Sequence, residues 1–168
     1  MSARVRACIG LGANLGDARA TLRAAVAALA TLPGTALLQV SHVYRSAPVD
    51  AQGPDFLNAV ATVETTLAPL ELLQALQAVE HAHGRERPFR NAPRTLDLDL
   101  LLHGETVMET PELTLPHPRL HERHFVLAPL LELVPDLQHP LLGPLQALLP
   151  QVAGQAVLRL PEVLTGAL

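Results

Sequence analysis

Two aspartates one residue apart, in Arg94-Thr95-Leu96-Asp97-Leu98-Asp99-Leu100, have the strongest chemical potential in this chain. Leucines alternate with them, which is the period of a β-strand with one apolar face. On such a strand Asp97 and Asp99 point to the same side, with Cα atoms about 6.5 Å apart. Carboxylates so spaced suit a pair of hard cations. Mg²⁺ takes one or two carboxylates and fills the rest of its shell with water and phosphate oxygens. A solvated strand face explains the same pattern without any ligand. The surroundings favour a polyanion: Arg85, Arg87, Arg90 and Arg94 lie nearby, and His117, Arg119, His121, Arg123 and His124 follow. Guanidinium groups grip phosphate oxygens bidentately and stabilise charge that moves between them. A metal-borne nucleoside triphosphate fits this mixture of charges. The competing account pairs Asp97 structurally with Arg94 or Arg123.

Other residues are more ambiguous. In Asp55-Phe56-Leu57-Asn58 an aromatic ring next to an amide can stack on a flat heterocycle and hydrogen-bond its edge, or can simply be a core Phe and a strand-start Asn. Phe125 has the same two readings. The glycines at 10, 12 and 16 miss the GxGxxG spacing, and Gln39 and Ser41 stand where a dinucleotide fold would place an acid. They read as backbone passing close to something, or as packing. His42, His81, His83, His103 and His139 show no ligand spacing and read as surface or capping residues. Ser46 lacks the ordered His and Asp of a hydrolase triad.

Composition removes whole classes. All 12 basic residues are arginine, so no Walker A loop, protein-kinase lysine or Schiff-base lysine exists here. Cys8 is the single cysteine, which excludes a disulfide framework or a thiolate zinc site. A net charge of −4 gives no reason to expect nucleic acid or an anionic membrane as partner. No apolar run approaches the roughly 20 residues of a membrane span, so a soluble cytoplasmic protein is expected, and a monomer is the separate expectation for its assembly. At 168 residues, one domain spanning 1–168 is expected as well.

The elements that must position these groups follow from periodicity. A strand at 5–9 runs into a loop at 10–16, and Asp17 caps a helix that Pro33-Gly34 stops. Residues 35–45 read as one strand, 46–54 as a loop, and 56–66 as a strand pairing with 35–45. Pro69 opens a helix that ends by Gly84, and an arginine-rich loop covers 85–94. In 95–103, Leu96, Leu98, Leu100 and Leu102 share one face, with Thr95, Asp97, Asp99 and His103 on the other. A short strand is expected near Val107, a helix over 120–133 broken or kinked at Pro129, a short helix at 144–150, and no assignment beyond it. Paired strands between helices predict an α+β fold, a ferredoxin-like antiparallel sheet with helices packed on it.

Six ordered segments then resemble one family: Ile9-Gly-Leu-Gly-Ala-Asn-Leu-Gly16, Val43-Tyr-Arg-Ser-Ala-Pro48, Asp55-Phe-Leu-Asn-Ala59, Gly84-Arg-x-Arg87, Pro93-Arg-Thr-Leu-Asp-Leu-Asp99 and the run from Leu115 to Leu127. The chain resembles the 6-hydroxymethyl-7,8-dihydropterin pyrophosphokinases of folate biosynthesis. The resemblance implies a three-layer α/β/α sandwich with helices on both faces of the sheet. It also implies transfer of the β,γ-pyrophosphoryl group of ATP to the pterin hydroxymethyl oxygen, giving AMP and the pterin diphosphate. By the same resemblance Asp97 and Asp99 hold two Mg²⁺ ions, and Arg85 and Arg94 handle phosphate. Gln77, Glu80, Arg87, His117 and Arg123 contact the nucleotide, with Arg94 closing on it. Ser46, Ala47, Pro48, Val49, Phe56, Asn58 and Phe125 receive the pterin, and the loops at 46–54 and 85–93 close over the substrates. The chain departs from the family pattern where Phe56 replaces a frequent Tyr and Phe89, Arg90 and Asn91 stand in for a usual Trp. Glu112, Pro88 and His121 occupy positions that are basic in some members. Two other readings use the same residues: a metal-dependent phosphohydrolase with water as nucleophile, and a ferredoxin-like sensor domain that binds without turnover.

Overall fold

The computed structural model describes residues 3–14, 16–47, 54–85 and 96–164, with the side chains of residues 84 and 85 outside that description. In chain order the elements are β1 (Val5–Ala13), α1 (Ala18–Leu29), β2 (Thr35–Val40), β3 (His42–Ser46), β4 (Phe56–Thr65), α2 (Pro69–Glu80), β5 (Asp97–His103), β6 (Met108–Glu109), β7 (Thr114–Leu115), α3 (His124–Leu133), β8 (Gln138–His139), β9 (Gly143–Pro144), α4 (Leu149–Val152) and β10 (Val157–Val163). The main sheet runs β10-β3-β4-β1-β5, with β2 also paired to β4, and the pairings within it are antiparallel.

Alternation along β1 and β4 sorts side chains onto two faces. Ala7, Ile9, Leu11 and Ala13 of β1 join Leu57, Ala59, Ala61 and Val63 of β4 in one core. Leu22, Ala25, Val26 and Leu29 of α1 and Leu72, Leu76 and Val79 of α2 close over it. Cys8 and Val60 face the other way, toward Val126, Leu127 and Leu130 of α3 and Val152 of α4. Helices therefore cover both faces of the sheet. Local signals set the helix starts as their residue types require. Asp17 accepts from the Ala20 N–H at 3.1 Å, and Pro69 occupies the first turn of α2, where Glu71 accepts from the Ala68 N–H at 2.8 Å.

Four expectations are corrected. The strand does not stop at Ile9 but continues through Gly10 and Gly12 to Ala13. The strand expected over 35–45 is two, β2 and β3, divided at Ser41, whose hydroxyl oxygen accepts from the Val60 N–H at 2.9 Å. Pro129 lies inside α3, so of the expected break or kink the break does not occur. A mid-helix proline costs on the order of 3 kcal/mol, and burial of Val126, Leu127 and Leu130 at roughly 1.5–3 kcal/mol each offsets that. The helical interruption falls earlier, at Arg123, where the backbone is extended. Beyond 150 the chain forms β10, an edge strand paired to β3, and its register shifts between Arg159 and Val163, around Pro161. An edge is where a strand tolerates proline.

Candidate active site

The site begins with a register. On β1, Gly10 pairs with Asp99 of β5 and Val60 of β4, and Gly12 pairs with Asp97 and Asn58. Opposed residues in antiparallel strands share a face. The two aspartates and Asn58 thus stand on either side of a strand that has no side chains between them. A Cβ on Gly12 would lie 3.4 Å from Asn58 Oδ1 and 3.9 Å from Phe56 Cδ1, and one on Gly10 would lie 3.6 Å from the Leu101 side chain. The glycines leave a trough floored by backbone. It measures about 210 Å³, and Ser46, Ala47, Phe56, Asn58, Asp97, Asp99, Arg123 and Phe125 are among its lining residues.

Strand β5 delivers the acids and then changes phase. Ile9 pairs with Leu100 but Cys8 with Leu102, so an extra residue bulges at Leu101. Leu96, Leu98 and Leu100 enter the core under α1 and α2, whereas Leu101 and Leu102 enter the core under α3. The expected four-leucine face is therefore split. Leu102 shares the face of the aspartates, and His103 turns away from it. His103 is buried, with Nε2 2.8 Å from the Leu67 carbonyl oxygen. His139 is buried too, and its Nδ1 accepts from the Leu141 and Leu142 N–H groups at 3.1 Å each. Both histidines are internal rather than at the surface, and His139 caps the backbone of the turn at 141–142, the second of the two roles expected for it.

The opposite wall is a hydrogen-bonded frame. Asn58 is buried, and its Nδ2 donates to the Tyr44 carbonyl at 3.2 Å and to Ser46 Oγ at 2.8 Å. With the amide nitrogen so engaged, Oδ1 is the atom on the Gly12 side, an acceptor suited to a ligand edge that carries N–H groups. Tyr44 donates from its hydroxyl to Glu132 of α3 at 2.7 Å. That carboxylate also receives the His42 N–H at 3.0 Å and lies 2.8 Å from His42 Nδ1. Helix α3 is thereby fixed over the sheet with Phe125 in its first turn, half-buried beside the trough. Arg123 Cζ stands 5.7 Å from the Phe125 ring centroid.

His117 belongs to the same charge field. Burial lowers its pKa, Asp99 opposes that, and Arg123 and Arg119 add to the lowering. Its Nδ1 accepts from the Arg119 N–H at 3.1 Å, the neutral imidazole with its proton on Nε2. Among the described residues no three His, Cys, Asp or Glu side chains gather as a closed metal cage. Two half-buried carboxylates on an open trough fit Mg²⁺, which leaves coordination positions for water and phosphate.

Several sequence-expected residues take other places. Gln77 is exposed on α2 and does not line the trough. Glu80 is buried, and its Oε2 accepts from the Leu98 N–H at 2.7 Å. It thus holds the peptide between the two aspartates from below. Pro48, Val49, Arg87 and Arg94 lie outside the described residues, as does the side chain of Arg85. The proposed closing loops lie there in large part. The sequence reading did not assign Gly10 and Gly12 as a floor. The available signal was their period of two, which matches that of Asp97 and Asp99.

Residues 8–135 match the model of the 7,8-dihydro-6-hydroxymethylpterin-pyrophosphokinase family. The chain is 46% identical over 157 residues to a 2-amino-4-hydroxy-6-hydroxymethyldihydropteridine pyrophosphokinase of Pseudomonas aeruginosa, covering 93% of this chain and 97% of that protein. It is 41% identical over 157 residues to the protein of the same name from Haemophilus influenzae, covering 93% and 98%. In fold it is similar to a crystal structure of wild-type Plasmodium falciparum HPPK-DHPS, with a TM-score of 0.71 at 14% identity. That superposition covers 90% of this chain and 45% of the longer Plasmodium chain. The family match across most of the chain and the near full-length identity to two relatives together show that the chain belongs to the 7,8-dihydro-6-hydroxymethylpterin-pyrophosphokinase family.

Proposed function

We propose that the chain transfers the β,γ-pyrophosphoryl group of ATP to the hydroxymethyl oxygen of 6-hydroxymethyl-7,8-dihydropterin in folate biosynthesis. The products are AMP and the pterin diphosphate. One observation carries the assignment to this site: the paired carboxylates and the Asn58–Phe125 wall share a single glycine-floored trough. A phosphate acceptor and its donor must meet in line, and a common floor brings the two subsites together.

In this reading Phe125 stacks on the pterin and Asn58 Oδ1 accepts from its ring N–H edge, with Ser46, Ala47 and Phe56 closing the pocket. Asp97 and Asp99 hold two Mg²⁺ ions, which supply charge neutralisation and Lewis-acid polarisation of the phosphate oxygens. Arg123 presents its guanidinium to the same oxygens, and neutral His117 offers them its Nε2 proton. Arg85, Arg87 and Arg94 extend the phosphate field by family resemblance, and Pro48 and Val49 extend the pterin pocket. Gln77, exposed on α2 and outside the trough, is assigned to the nucleotide by family resemblance alone.

The test replaces the acids one at a time. Asp97→Asn and Asp99→Asn each lower kcat by about 10³-fold, and added Mg²⁺ does not restore it. Both variants keep a thermal midpoint within about 3 °C of the parent, because half-buried polar positions on a strand tolerate an amide. Retained transfer together with a large thermal loss would show that the acids serve the fold alone.

A further inference from the structure

Arg123 and Phe125 depend on a short stretch of backbone between a 3-10 turn (Leu120–Glu122) and α3. Arg123 is the N-cap of α3, with φ −123° and ψ 113°, and makes no side-chain capping bond. The usual Ser, Thr, Asp or Asn oxygen is therefore missing at this helix start. Its substitute comes from the turn between α4 and β10. Gln155 Oε1 accepts from the His124 N–H at 3.0 Å, and Gln155 Nε2 donates to the Glu122 carbonyl at 2.8 Å. The Gln155 carbonyl lies 2.9 Å from His124 Nδ1, and the Gln155 N–H donates to the Val152 carbonyl at 2.9 Å.

One side-chain amide thus holds both peptide groups that flank Arg123. A primary amide offers a donor and an acceptor side by side, so it can imitate the edge of a neighbouring strand. Fixing those two peptides fixes the direction in which the Arg123 side chain leaves the backbone. Phe125, one residue further into the helix, follows from the same anchor. Both side chains line the trough.

We infer that Gln155 is a positioning residue, whose amide holds residues 122–124 so that Arg123 and Phe125 already point into the trough when substrates arrive. This rests on the reading of those two residues as phosphate and pterin contacts. It extends that reading to a residue outside the 8–135 span of the family match. Gln155 is exposed, so water replaces its hydrogen bonds once the amide is removed, and they add little to global stability. Their effect is on alignment, to which phosphoryl transfer is steeply sensitive.

Steady-state kinetics on the full chain test this with Gln155→Ala, Gln155→Met, Arg123→Ala and the double variant Arg123→Ala/Gln155→Met. Methionine keeps the length and bulk of glutamine without its amide. Both single Gln155 variants lose about tenfold in kcat/KM for ATP and for the pterin, with a thermal midpoint within about 2 °C of the parent. In the Arg123→Ala background, loss of the amide costs less than about twofold in kcat/KM for ATP, because the group it aligned is gone. Parental kcat/KM in Gln155→Met overturns the inference. An undiminished tenfold loss in the Arg123→Ala background overturns it too, since Gln155 would then act independently of Arg123. Failure of the parent chain to transfer at all defeats the underlying reading before any variant is compared, and the inference falls with it.

Discussion

Four acids in and around this site divide into three tasks because their neighbours differ. Asp97 and Asp99 face a trough bordered by cationic groups. Glu80 is buried beneath them, holding the Leu98 N–H. Glu132 joins α3 to β3. Burial works against the charge of Glu132, but hydrogen bonds from His42, the Tyr44 hydroxyl and the His42 N–H hold its pKa below the ordinary 4.5. A carboxyl depressed in the folded state binds protons less readily than it does in the unfolded chain. It contributes stability above about pH 4.5 and loses it as the pH falls through the depressed value. Glu132→Gln is therefore less stable than the parent at neutral pH, and the gap closes in acid. Urea unfolding at about pH 7 and about pH 3.5 measures it. A gap of equal size at both would remove the charge of Glu132 from the account.

At the scale of elements, β1 works through what it lacks. Gly12 keeps the face between Asp97 and Asn58 open and Gly10 admits the Leu101 side chain beside Asp99, while their neighbours Ile9 and Leu11 bury in the opposite core. Gly12→Val fits a strand by propensity and fills the trough beside Asn58 and Phe56. It is expected to raise KM for the pterin at least about tenfold and to leave the thermal midpoint unchanged or higher. Unaltered pterin KM in a folded Gly12→Val chain would mean that the ring lies elsewhere. The elements also show what a sequence can disclose. Period-two leucines announced β5, and Asp17 and Pro69 announced two helix starts, because those signals are local. The bulge at Leu101 was hidden, since a run of leucines looks alike in either phase. Strand β10 was hidden because Pro161 argues against a strand unless its edge position is known. The aspartate pair was legible as a candidate from spacing and charge alone. The glycine floor was not, because it exists only through the register of β1 with both neighbours. Gln155 was likewise illegible, its partners lying 31 and 33 residues away.

For the whole molecule, the sheet sits between helices on both faces, and the site opens on the α3 side. Among the described residues, no helix is long and apolar enough to cross a membrane. Cys8, in the interior strand β1, tests how firmly the layers stay closed. It is 2% exposed, and burial pushes its thiol up to about 11, with Arg6 acting the other way. The folded chain is expected to resist thiol-labelling reagents at about pH 8 and to react fully once unfolded. Rapid labelling under native conditions would show that the sheet opens far more often than this packing permits. The whole molecule is also the scale of the central claim, that one trough seats a pterin hydroxyl against a metal-held triphosphate so that the bond between the α- and β-phosphates is cut. The direct measurement incubates the chain with Mg²⁺, ATP and 6-hydroxymethyl-7,8-dihydropterin and identifies both products by mass. The account predicts AMP and pterin diphosphate in equal amounts. ADP as the adenine product, or AMP released without any pterin product, would contradict it.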